Sequence, residues 1–125
     1  MKILALFCFL LMVNLAFSQV AVYGEITSEK KFIQYVTKIG DTLNIGDEIT
    51  IGLPSTDQGF RFITQGNAKT ADWLSGNNVI IHKMKSWSGD KRNYKIYLHI
   101  KGYGMVPVLI DYENALLSNE ILEID

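Results

Sequence analysis

Cysteine is all but missing: of 125 residues only Cys8 is one, and it lies in the N-terminal apolar run. Beyond residue 18 the chain can therefore close no disulfide and carries no thiol nucleophile. Its stability there must come from packing alone. Histidine is scarce, with two residues, and so is net charge, with a formal balance of −1. Near-neutrality argues against nucleic acid as a partner, because nucleic-acid binding favours a strongly basic domain. After residue 18 there is no transmembrane segment, which would need ~20 apolar residues. A Gly-x-Ser-x-Gly elbow is absent, as are linkers, low-complexity tracts and any sign of a second domain.

What is present begins with the leader. Met1 and Lys2 precede Ile3 to Val13, a run free of charge, and Ala16-Phe17-Ser18 offers small side chains for a peptidase. That order predicts a cleavable secretory signal over residues 1–18. Asn14 ends the run before it is long enough to anchor in a membrane. Cys8 follows the bulky Phe7 in mid-run, a poor position for lipid attachment. Residues 19–125 are then one domain, long enough for one core and too short for two. Its expected location is the periplasm or outside the cell.

Ten glycines punctuate this domain, and short runs rich in Val, Ile, Thr, Tyr and Phe lie between them. Turn signals at such spacing predict an all-β sandwich or barrel. Ile49, Ile51 and Leu53 share one face; Tyr94, Ile96, Leu98 and Ile100 share another, against Lys95, Tyr97, His99 and Lys101. This period of two marks half-buried strands. Strands are expected at 20–23, 43–45, 48–53, 60–63, 79–85, 94–101, 105–110 and 121–124. Those at 79–85 and 94–101 would form an antiparallel hairpin through Ser88-Gly89-Asp90. Around Phe32, Tyr35, Val36 and Ile39 the pattern fits helix and strand about equally. Residues 70–75 are compatible with one helical turn, and Asp111 to Leu117 reads as a short helix capped by Asp111.

A strand, a single helical turn and a terminal strand in succession resemble the end of an SH3-like barrel, so the expected fold class is all-β, a small barrel with one or two short helical turns. Residues 38–53, KIGDTLNIGDEITIGL, together with FRFI at 60–63 and VLIDYENALLSNEI at 108–121, resemble small exported proteins of Bacteroidetes-type bacteria. The matching motifs are turns and core strands, so the resemblance implies a compact β-domain and transfers no site residue. Leu43-Asn44-Ile45-Gly46 is similar to part of the string that opens wall-binding bacterial SH3 domains, but departs where their Arg and Gly-Pro stand.

No constellation for catalysis is legible. His82 and His99 fall on the two arms of the hairpin and could sit side by side, yet a zinc site usually takes three or four protein ligands. Their neighbours Lys83, Lys85, Lys95 and Lys101 would repel a cation. No metal or other cofactor is expected. Asp111 and Glu113 are adequately explained by a helix N-terminus, and Glu120, Glu123 and Asp125 read as solvated terminal charges.

Charge segregation is the most informative feature. Residues 79–104 hold Lys83, Lys85, Lys91, Arg92, Lys95 and Lys101 against Asp90 alone, whereas residues 105–125 hold five carboxylates and no cation. One explanation is pairing of the two segments inside the sheet, where each cross-strand pair adds only ~0.2–1 kcal/mol. The other is a basic, aromatic surface for an anionic cell-surface glycan or an envelope protein. Trp87 stands out because it borders the polar turn from Ser86 to Asn93, and rings in such places stack on sugars or fill partner pockets. Trp87, Lys91, Arg92 and Tyr94 are the expected contact residues. The expected function is a non-catalytic binding module; a structural accessory subunit of an envelope complex is the second possibility, and a small hydrolase the third.

Overall fold

Period-two patterning builds most of the molecule. The computed structural model describes residues 19–66, 68–69 and 72–122; the signal expected over residues 1–18 and the terminal residues Glu123 and Asp125 lie outside the described residues. The strands are β1 (Val20–Val22), β2 (Lys31–Phe32), β3 (Gln34–Val36), β4 (Thr42–Asn44), β5 (Glu48–Thr50), β6 (Ile63–Gln65), β7 (Ala68–Lys69), β8 (Asn78–Trp87), β9 (Lys95–Ile100) and β10 (Val108–Asp111). A 3-10 turn, Asp72–Leu74, precedes β8, and one short helix, α1 (Tyr112–Leu117), follows β10. The ambiguous segment around Phe32 to Ile39 is thus strand as far as Val36 and then a turn.

Two sheets result. The smaller has the order β1-β3-β4, with β1 parallel to β3. The larger runs β2-β8-β9-β10-β6-β7, and β5 pairs with the start of β8. The all-β expectation is met, but a closed SH3-like barrel is not seen: among the described residues no strand pairing joins the two sheets. The chain changes sheets at Ile33, between β2 and β3. After β1 it returns to β2 as a loop, leaving a cavity of about 210 Å³ between Val20–Val22 and the segment from Thr27 to Phe32.

Register aligns the core. Ala21, Tyr35 and Leu43 stand opposite one another across the small sheet, and all three are buried. Val79, Ile81 and Met84 of β8 meet Ile96, Leu98 and Ile100 of β9 and Val108 and Ile110 of β10 inside. Inward residues on β8 change from odd to even numbers because the register shifts between Ile81 and Lys83. This bulge leaves His82 and Lys83 both outward, so the alternation survives an extra residue.

The stretch KIGDTLNIGDEITIGL at 38–53 contains two Gly-Asp turns. Gly40 and Gly46 both have φ of 93°, a region open to glycine at little cost. The Asp47 carboxylate then accepts the Asn44 N–H at 2.8 Å, and the Thr37 hydroxyl accepts the Asp41 N–H at 3.1 Å.

Polar pins hold the sheets together. The Tyr35 hydroxyl donates to Glu113 at 2.7 Å, tying the small sheet to α1, while the Tyr35 and Tyr112 rings meet edge to face at 6.0 Å. Ser86, fully buried, donates to the Ser28 carbonyl at 2.7 Å and accepts the Lys30 N–H at 2.8 Å.

Glu120 corrects the expectation of a solvated terminal charge: it is completely buried. Its carboxylate accepts the backbone N–H groups of Ser55 at 3.0 Å and of Arg61 and Phe62 at 2.7 Å, and also the Ser55 hydroxyl. It therefore organises the turn from Ser55 to Phe62 that β5 and β6 leave without a ladder. Asp111 stands at the N-cap of α1 as expected, but makes no side-chain cap bond. Its carboxylate is turned instead to Lys95 and Asn114. Ile121 makes a single bridge to Ile51.

Candidate functional site

Because β8 and β9 bury one set of alternating side chains, they display the other on a single outer face. The pairs across it are Trp87 with Lys95, Lys85 with Tyr97 and Lys83 with His99. β10 adds Leu109 beside His99, and β6 adds Thr64 beside Leu109. Trp87 is 51% exposed. Its ring stands edge-on to Tyr97 with centroids 6.2 Å apart and lies over Gly89. Below this pair is a shallow depression of about 430 Å³ whose floor includes Thr64, Lys85, Tyr97, His99 and Leu109.

The hairpin tip is closed by one carboxylate. Asp90 accepts the backbone N–H groups of Arg92 and Asn93, each at 2.9 Å, together with the Ser88 hydroxyl at 2.7 Å and the Asn93 side-chain amide at 2.9 Å. These donors, the backbone ones foremost, hold its pKa far below the usual carboxylate range. Lys91 takes a left-handed conformation, φ 59°, at the apex and is exposed.

The four nominated contact residues divide. Trp87 belongs to the outer face. Arg92 and Tyr94 turn toward a separate recess of about 310 Å³, which also includes Tyr23, Tyr35 and Glu113. Lys91 lies on the apex between them. Asn93 and Lys95 border that recess and also a depression of about 460 Å³ beside Trp87. Tyr97, His99 and Lys85 complete the face, yet were not nominated. The alternation that places them opposite Ile96 and Leu98 was visible in the sequence; Thr64 and Leu109 enter through long-range register, which was not.

Electrostatics temper the charge segregation read from sequence. Lys95 pairs with Asp111 at 3.3 Å and Lys85 with Glu29 at 3.7 Å. Of the C-terminal carboxylates among the described residues, only Asp111 pairs with the hairpin: Glu113 serves Tyr35 and the Lys38 N–H, and Glu120 is buried elsewhere. Lys83, Lys91 and Arg92 make no ion pair among the described residues. His99 is held below the ordinary imidazole pKa by burial first and then by Lys85 and Lys83. His82 is lowered by burial and then by Lys101 and Lys83. Both shifts disfavour the charged imidazolium on this lysine-rich face.

Among the described residues no group of three or more His, Cys, Asp or Glu side chains is placed to hold a metal ion. Ser55 and Glu120 are in contact; burial raises that carboxylate's pKa, but the Ser55 hydroxyl and three backbone N–H donors outweigh it and hold the pKa below the ordinary glutamate value. It is a weak base for activating a hydroxyl. No helix of the described residues is long and apolar enough to cross a membrane.

No family model, no curated protein and no solved structure matches this chain. The chemistry of the site therefore carries the functional argument alone.

Proposed function

We propose that the protein is an exported, non-catalytic binding module whose ligand is an anionic cell-surface glycan, met by the outer face of the β8–β9 hairpin. The observation that carries this reading is Trp87, half exposed and braced edge-on by Tyr97 among lysines. A ring fixed in this way offers stacking area at low entropic cost. Lys85 and Lys95 beside the ring are matched by Glu29 and Asp111, so the attraction that speeds encounter and fades with salt comes from Lys83 and Lys91, which make no ion pair among the described residues. Shallow depressions suit recognition of a surface better than turnover of a small molecule, which favours deep enclosed sites.

The test uses a protein carrying Trp73→Phe, so that Trp87 alone reports fluorescence. Titration with polygalacturonate at low ionic strength should shift or quench its emission, and neutral dextran should not. Trp87→Ala should remove binding, measured by calorimetry, while leaving thermal stability nearly intact. Binding to polygalacturonate that is indifferent to salt and to Trp87→Ala would sink the proposal.

A second reading, an accessory structural subunit, draws on the other end of the molecule. Trp73 is 54% exposed and lies 5.6 Å from Tyr103, and the fully exposed Met105 belongs to the same loop as that tyrosine. Capture of an envelope protein that survives Trp87→Ala but is lost with Trp73→Ala would favour it.

A further inference from the structure

We infer that the recess between the hairpin tip, β3 and α1 is a binding site for a zwitterion, a free α-amino acid with an apolar side chain. This goes beyond the glycan-binding reading and does not depend on it, because Trp87 does not line the recess. The volume is about 310 Å³, at the small end of the range for ligand sites, ~300–1,000 Å³. Four stretches of chain converge there: Tyr23 from the loop after β1, Tyr35 from β3, Arg92 to Ile96 from the hairpin, and Glu113 from α1. The cavity is therefore shaped by the fold and not by one loop.

Two opposite charges in the lining are unspent. Neither Arg92 nor Glu113 makes an ion pair among the described residues. The Arg92 guanidinium makes no hydrogen bond there either; only its backbone N–H is engaged, by Asp90. Glu113 is not free to turn away from an incoming ligand. One of its oxygens accepts both the Tyr35 hydroxyl at 2.7 Å and the Lys38 N–H at 3.0 Å, and the other carries no hydrogen bond among the described residues. Lys95, the remaining charged residue of the lining, is matched by Asp111 at 3.3 Å. The Lys38 ammonium stands 5.8 Å from the Tyr23 centroid, outside the lining.

These charges select the ligand. An anion alone meets Arg92 but faces the fixed carboxylate of Glu113. A cation alone meets Glu113 but faces Arg92 and Lys95. A neutral molecule leaves both charges without partners. A molecule that carries one carboxylate and one ammonium group satisfies both, through charge-assisted hydrogen bonds, the stronger kind. Ile26, Ile96 and the rings of Tyr23 and Tyr94 complete the lining, and they suit an apolar side chain better than a polar one.

The experiment compares L-leucine and L-phenylalanine with two analogues of each: the amide, which lacks the carboxylate, and the N-acetyl form, which lacks the ammonium group. Calorimetry should show binding of at least one of the two amino acids, and the NMR signals of Tyr94, Ile96 and Glu113 should move during its titration. Each analogue should bind at least ~10-fold more weakly than its parent, the worth of one charged contact. Arg92→Gln leaves the bonds of the hairpin tip in place. It should weaken the amino acid by a similar factor and leave the amide unchanged, while Trp87→Ala should alter neither. An analogue that binds as tightly as its parent, or an affinity unmoved by Arg92→Gln, would overturn the zwitterion site. Absence of binding by both amino acids would overturn it as well. None of these results bears on polygalacturonate at Trp87, so the two readings fail separately.

Discussion

A Cβ atom placed on Gly52 would lie 2.2 Å from the carbonyl oxygen of Asn119. The two backbones touch because the Gly52 N–H donates to the Glu120 carbonyl at 2.8 Å, and because Asn119 turns the chain with φ of 63°. Gly52→Ala is therefore expected to cost about 2–3 kcal/mol by overpacking. Gly76, at φ 81° with open space around it, should lose only the ~1–2 kcal/mol of a left-handed backbone when changed to alanine. Urea denaturation of both variants checks the order, and Gly76→Ala being the worse would refute it.

Glu120→Gln should cost about 2–3 kcal/mol at neutral pH, because an amide cannot serve three N–H donors and a hydroxyl as a carboxylate does. The pH dependence has a definite sign. Burial raises the Glu120 pKa, but the hydrogen bonds from Ser55, Arg61 and Phe62 lower it further, so the folded value lies below the unfolded one. Its stabilisation is present above the ordinary glutamate range and is lost as pH falls through the lowered folded value. Acid titration of thermal stability should show this limb in the native protein and a flatter one in Glu120→Gln.

Tyr35 predicts the opposite limb. Burial, and then its hydrogen bond to Glu113, push its pKa well above 10. The unfolded chain ionises near 10 and the folded one resists, so this stability is complete below pH 10 and declines as pH rises beyond it. Tyr35→Phe should cost about 1 kcal/mol at neutral pH and soften the alkaline decline, as followed by circular dichroism.

Deleting His82 should be tolerated, at about 1 kcal/mol or less. Lys83 then takes the outward place between Ile81 and Met84, and the buried set is unchanged. Inserting an alanine after Met84 should be far worse, because it would turn Trp87 inward and Ser86 outward. Melting temperatures of the two variants separate these outcomes.

Local periodicity made the hairpin legible: the expected strand at 94–101 contains β9, and its inward set is the observed one. The short helix after Asp111 and the turns at Gly40 and Gly46 were equally readable, because cap and turn residues act within a few positions. What could not be read depends on distance along the chain. Glu120 is buried because Arg61 and Phe62, remote in sequence, present their N–H groups to it. The parallel pairing of β1 with β3, and the open gap beside β1, follow from how the loop to β2 crosses. For the site, Trp87 was legible as an oddity of placement. Its brace Tyr97 was visible only as one member of an alternating row, and the separation of Arg92 and Tyr94 from Trp87 required the twist of the hairpin.

The closure of the tip by Asp90 has a bearing on how this surface diversifies. Every bond that shapes the loop ends on Asp90, Ser88, Asn93 or main chain, and none involves the side chains of Lys91 and Arg92. Those two long side chains are passengers on a self-sufficient frame. Side chains that tolerate the left-handed backbone at position 91 can replace them without reshaping the apex, so the charge carried at the tip is set independently of the frame that holds it.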